Sequence, residues 1–202
     1  MEIDLEKVGM KKGLKYESIY TTVNSKNEKN AAPIGVKCLD KDTIACHAFE
    51  GSTTLKNIIE TKKYVVNITE DPLTYTLSTI GNLPLEYYTD DEKIAILKDT
   101  PAYLIAEVMN IEEIPISNDE KMYIIKSKVT EMVINYKCAK AMNRGIHCLI
   151  DSLVNYTRFN IVDDEKKDYF IDRLEENKRI IDKVADEDLK KAIAILKEKM
   201  IR

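Results

Sequence analysis

The sequence predicts a mainly antiparallel β chain, closed or nearly closed into a barrel of about six strands, followed by a small helical domain. Three observations carry this. Short β-branched and aromatic runs separated by polar turns fill the first two thirds of the chain. Such runs read as strands joined by hairpins. The apolar period then changes from two to helical at about Cys138. The stretch Ile19–Lys37, IYTTVNSKNEKNAAPIGVK, contains a hairpin whose second limb carries both Pro33 and Gly35. A Pro in a strand belongs at an edge or a bulge, and a Gly there often marks a close approach to the backbone.

Composition narrows the class. At 202 residues the chain suits one domain, or one domain with an appendage, and needs no disulfide staple. The net charge of -4 argues against general nucleic-acid binding, which needs a basic surface to displace counterions. No apolar run has the length of a membrane span, and MEIDLEKVGMKKG lacks the apolar core of a signal peptide. The expected location is the cytoplasm, with no membrane partner. Cys38, Cys46, Cys138 and Cys148 are read as reduced thiols, since none forms a C-x-x-C pair. Cys46-His47 and His147-Cys148 are adjacent pairs. Neighbours diverge on a strand or a helix, so each pair offers one ligand at most, and no metal site is expected.

In order, residues 1–13 read as a loosely docked lead-in ending at Gly13. Tyr16–Val23 and Asn30–Lys37 form the hairpin. Asp40–Asp42 turns into a third strand, Thr43–Phe49, completing a meander. Gly51 allows a sharp turn, and Ser52, Thr53 or Thr54 can cap a helix with apolar Leu55, Ile58 and Ile59. Tyr64–Glu70 is a strand. Asp71-Pro72 starts a short helix with Gly81 as its stop. Asp90-Asp91 is expected to cap a turn or two of helix. Pro101–Ile114 is a long strand, Pro115 and residues 117–119 its turn, and Met122–Ile134 its partner. Tyr123, Ile125, Ser127, Val129 and Glu131 share one face there in strict period two. Helices follow at roughly 140–159, with Ile146, Leu149, Ile150, Leu153 and Thr157 as the core stripe, after Asp163-Asp164, with Phe170, Leu174, Ile181 and Val184 aligned, and after Asp186, with Leu189, Ile193, Leu196 and Met200 aligned. The domains are thus expected at 1–137 and 138–202.

Two places invite a ligand. Ala31, Ala32, Pro33 and Gly35 make one wall of the hairpin small and leave backbone unpaired, so a flat ligand can lie there; an ordinary edge strand protected by proline fits the same residues. A helix N-terminus after Gly51 with three hydroxyls can seat a phosphate, because its N–H groups and dipole favour an anion. Simple N-capping explains the same hydroxyls. The P-loop spacing is absent.

In combination, Tyr20-Thr21-Thr22-Val23, Asn30-Ala31-Ala32-Pro33-Ile34-Gly35-Val36, Gly51-Ser52-Thr53-Thr54 with Asn57, and Tyr64-Val65-Val66-Asn67-Ile68 before Asp71-Pro72 resemble the FMN-binding split barrels. These include the flavin reductase-like and pyridoxamine phosphate oxidase-like proteins. The nearest resemblance is to the archaeal domain of unknown function 447 family, and Asn143-Arg144 and Thr157-Arg158 also resemble its tail. The resemblance covers residues 16–72 with specificity and the rest by order. It implies a six-stranded antiparallel split β-barrel that binds FMN at the interface of a homodimer, followed by a helical domain. It implies a cofactor site drawn from Thr21, Thr22, Asn30, Ala31, Ala32, Pro33, Ser52, Thr53, Thr54 and Asn57. No arginine stands in the phosphate segment, so Lys56 or Arg144 would supply the charge. The implied activity is FMN-dependent hydride transfer, with a nicotinamide, a deazaflavin or a pterin as the small-molecule donor or acceptor. No Rossmann fingerprint is present, and no catalytic acid, base or nucleophile can be assigned. The alternatives are a non-catalytic flavin-binding or assembly protein on the same scaffold, and an empty barrel acting through its helical tail.

Overall fold

The computed structural model describes residues 3–117 and 120–200. They divide into two compact units, Met1–Met142 and Asn143–Arg202. Among the described residues no helix is long and apolar enough to cross a membrane.

The first unit is a closed antiparallel barrel of six strands, as expected. β1 (Lys15–Val23), β2 (Lys29–Asp40), β3 (Thr43–Phe49), β4 (Lys63–Ile68), β5 (Ala102–Ser117) and β6 (Glu120–Ile134) close in the order β1-β2-β3-β6-β5-β4. Helix α1 (Thr53–Thr61) follows β3, and α2 (Pro72–Ile80) follows β4. The barrel interior is filled by residues that alternate along the strands, among them Tyr16, Tyr20, Val36, Ile44, Tyr64, Val66, Leu104, Ile125 and Val129. Tyr20 and Tyr64 stack at 5.0 Å with their rings 18° apart.

The N-terminal lead-in is not loosely docked. Leu5–Val8 forms a 3-10 turn capped by Asp4, whose carboxylate accepts from the Glu6 amide at 3.0 Å. Leu5, Val8 and Met10 are fully buried in the barrel core. The Leu5 amide reaches the Lys41 carbonyl at 2.9 Å, and the Ala141 amide reaches Val8 at 2.7 Å. Three apolar side chains within six residues fill one end of the barrel, and that burial outweighs the polarity around them. Leu5→Ala should therefore destabilise the protein by about 2–5 kcal/mol in urea unfolding, as core truncations do. A change below about 0.5 kcal/mol, the range of ordinary surface substitutions, would contradict this docking.

Two further expectations are corrected. Asp91 starts no helix; its Oδ1 accepts from the Lys93 and Ile94 amides at 2.8 and 3.2 Å and folds a local turn. The period-two face of β6 breaks after Val129. Val129 pairs with Ala106 and Glu131 with the adjacent Ile105, so Thr130 is an extra residue that turns Glu131 out and Met132 in. Pro115 and Ser117 lie within β5, while the Asn118-Asp119 part of the expected turn falls outside the described residues.

The second unit contains α3 (Gly145–Arg158), α4 (Asp164–Val184) and α5 (Glu187–Met200). Its core holds Leu149, Phe170, Leu174, Ile181, Val184, Ile193, Leu196 and Met200. The α4 and α5 stripes match expectation, and Asp163 caps α4 as expected. The α3 stripe does not. Gly145, Leu149 and Ser152 face inward, while Ile146, Ile150 and Leu153 are 44%, 51% and 43% exposed. A Cβ on Gly145 would stand 2.9 Å from the Cβ of Ala185, so only glycine permits this approach. Ser152 Oγ accepts from Asn177 at 3.0 Å. Close backbone approach and a buried polar pair thus select the packing face, rather than the widest apolar stripe.

Candidate functional site

The hairpin and the start of α1 build one corner of the barrel. β2 pairs with β1 from Lys29 to Lys37 but with β3 only from Val36 onward. Lys29–Gly35 therefore has a strand partner on one side only. Pro33 lies in this half, opposite Ile19, where its missing N–H costs no ladder bond on the open side. Asn82 occupies part of that edge as a strand would. Its Oδ1 accepts from the Ala31 amide at 3.0 Å, and its Nδ2 donates to the Lys29 carbonyl at 2.8 Å. Ala31 is buried, Ala32 and Pro33 are half-buried, and Gly35 is exposed.

Four residues named from the sequence are brought together by hydrogen bonds. Thr22 and Asn30 are register partners on β1 and β2. Asn57 donates from Nδ2 to Thr22 Oγ1 at 3.0 Å, and Asn30 donates from Nδ2 to Thr54 Oγ1 at 3.0 Å. Thr54 and Asn57 are three residues apart on α1, so they share its inner face. This clasp holds the helix against the hairpin. The hydroxyls of Thr22 and Thr54 accept in these bonds, and each has a proton left to donate.

The start of α1 adds the remaining pieces. Gly51 has φ of 80°, a conformation that suits glycine and turns the chain into the helix. Ser52 is the N-cap: its Oγ accepts from the Leu55 amide at 3.3 Å and donates to the Phe49 carbonyl at 2.9 Å. Thr53 is exposed on the first turn, as is Lys56 one residue beyond Leu55. The first turn carries no acid. An anion there would meet the helix dipole with no carboxylate in that turn, Glu50 lying before the cap.

Thr21 points to the other face of β1. Its hydroxyl donates to the Ala95 carbonyl and accepts from Asn67 Nδ2. Asn67 is fully buried, also donates to the Ile19 carbonyl at 3.1 Å, and accepts from the Leu97 amide at 3.1 Å. Sequence reasoning assigned neither Asn67 nor Asn82 a role. An Asn inside the β-branched run YVVNI was a signal, because Asn is depleted in strands; Asn82 offered none. Arg144 belongs to the second unit, where it precedes α3 and is exposed.

Thiol chemistry has no place at this corner. Cys46 is buried inside the barrel beside the tyrosine pair, and burial pushes its thiol up to about 12. Burial likewise raises Tyr20 and Tyr64. All three stay protonated at neutral pH. The strand turns Cys46 inward and His47 outward.

Comparison with known proteins places this geometry in a family. Residues 16–136 match the N-terminal domain described as protein of unknown function (DUF447), and residues 143–198 match the family's second part under the same description. The structure is similar to that of an FMN-bound protein from Methanosarcina mazei assigned to DUF447. The two are 23% identical over 96% of this chain and 99% of that one, with a TM-score of 0.56. It is also similar to a flavin reductase crystallised with NADP+, at 20% identity over 65% of this chain and 86% of that one, with a TM-score of 0.50. At these identities the likeness establishes the split-barrel fold. The two family matches together span most of the sequence, and the chain belongs to the DUF447 family.

Proposed function

We propose that this protein is an FMN-binding flavoprotein that works as a homodimer and catalyses hydride transfer. The observation that carries the reading is the open, Pro33-bearing edge of β2 set beside the acid-free N-terminus of α1. The FMN-bound relative of the same family supports it. The residues present fit the group. The backbone N–H groups of Thr53 and Thr54 and the Thr53 hydroxyl would hold its phosphate, with Ser52 capping the turn and Lys56 supplying positive charge. Ala32 and Pro33 would bring backbone close to the ring, and the proton of Thr22 or Thr54 is available to its polar atoms. Asn30 and Asn57 would orient those hydroxyls rather than touch the cofactor. The chemistry supplied by bound FMN is two-electron exchange with a reduced nicotinamide or deazaflavin. The chain's own part is to fix the ring at the edge and to leave one face open to that donor.

Heat-released cofactor from the purified protein, identified by chromatography, should be FMN. Anaerobic addition of NADH, NADPH or a reduced deazaflavin should then bleach the flavin absorbance. FAD in the eluate, or no uptake of added FMN, would overturn the cofactor assignment. FMN that no donor reduces would leave a non-catalytic flavin-binding protein.

A ring laid on an open strand edge is half exposed, and a second copy related by a two-fold axis would cover its rim while leaving one face to the donor. Light scattering should therefore give about twice the 23.2 kDa chain mass. A strict monomer that retains FMN would remove the dimer from the proposal.

A further inference from the structure

A second recess lies on the other side of β1. β1 and β4 pair only at Ile19–Asn67, Tyr20–Val66 and Thr21–Val65. Beyond Thr21 the two strands part, and a cleft of about 260 Å³ opens between them. Val65, Ile94 and Ala95 give it apolar surface, while Thr22, Thr61, Lys63 and Lys93 contribute polar groups. Its lining contains two lysines and no carboxylate, in a chain whose net charge is -4. Three acids stand at its margin without lining it, among them Glu28, whose Oε2 accepts from the lining Asn24 at 2.6 Å. Asp91 is turned onto the Lys93 and Ile94 amides. Glu107 stands 4.0 Å from Lys63, the outer limit of an ion pair, with both side chains about half exposed. Such a pair is worth little.

We propose that this cleft binds a small organic anion, with its charged head toward Lys63 and Lys93 and its apolar body against Val65, Ile94 and Ala95. Apolar walls with a few convergent polar groups are the ordinary composition of a small-molecule site. The cleft lies across β1 from the open edge of β2 and shares only Thr22 with the proposed FMN site, and its lysines belong to neither that edge nor the start of α1, so this inference does not rest on the FMN reading. The ligand class is a carboxylate, sulfonate or phosphate attached to a compact hydrophobic skeleton.

The test titrates naphthalene-2-sulfonate into the full ¹⁵N-labelled chain, alone and with excess FMN, using the uncharged naphthalene-2-sulfonamide as control. The expected result is saturable shifts at the Thr61, Val65 and Ala95 amides, unchanged by FMN. Lys63→Gln with Lys93→Gln should weaken the sulfonate by about tenfold, the scale of a lost charge-assisted contact. It should leave the sulfonamide and the melting temperature unchanged. Lys93→Gln alone should show part of the same loss. Shifts confined to other surfaces, equal affinity in the charge variants, or displacement of the probe by FMN would each overturn the proposal.

Discussion

Thr53→Glu should abolish tight FMN binding without unfolding the protein. Thr53 is exposed at the first position of α1, and the cap belongs to its neighbour Ser52. A carboxylate at this position is favourable for the helix itself, by about 0.3–1 kcal/mol through the dipole. It would also stand where the proposed phosphate sits. Two unit charges about 4 Å apart near a protein surface repel by roughly 4 kcal/mol, so FMN affinity should fall by about 100-fold or more. Riboflavin has no phosphate and should lose little. The measurement is a pair of titrations, FMN and riboflavin, against wild type and variant, with a melting curve for each. Ser52→Ala provides the contrast: loss of an N-cap costs about 0.5–2 kcal/mol of stability and affects the two ligands more evenly. If Thr53→Glu weakens both ligands equally, α1 does not seat the phosphate, and its hydroxyls have only a capping role.

The largest effect on stability is expected at Asn67. Its amide ties three points of the barrel wall: the Ile19 carbonyl, Thr21 Oγ1 and the Leu97 amide. All lie in buried surroundings, and Asn67 itself is 0% exposed. Asn67→Ala removes every one of these bonds and leaves the Leu97 N–H and the Ile19 carbonyl without this partner. The expected cost is about 3–5 kcal/mol, since each orphaned buried group forfeits its full desolvation energy. The segment that carries Ala95 and Leu97 should loosen first. Hydrogen exchange at the Leu97 amide should rise from core-like protection to loop-like exchange in the variant. Protection that survives the substitution would show that the segment is held by its apolar contacts alone. Those contacts exist: Ile19, Ala31, Leu83, Tyr88, Ala95 and Leu97 form one buried cluster.

Asn67 also marks the division between what local reading reaches and what it does not. The sequence alone determined the strands, the hairpin, and the caps at Asp71, Asp163 and Asp186; it narrowed the α1 cap to Ser52, Thr53 or Thr54 and Pro33 to an edge or a bulge, and the structure chose Ser52 and the edge. A cap satisfies an amide three residues away, and a strand shows its faces in period two, so a short window holds all the information. The clasp of Thr22, Asn30, Thr54 and Asn57 was legible as a set of residues, through their resemblance to a family, but not as bonds. Tertiary structure decided the rest. It chose Asn82 to complete the β2 edge 51 residues from its partner Ala31. It drew Leu5, Val8 and Met10 into the barrel end. It buried the Gly145–Ser152 face of α3 instead of the apolar one. Each outcome depends on which surfaces meet when the barrel closes or the helices pack. A short window cannot contain that, because burial energy belongs to the pair of surfaces and not to either segment.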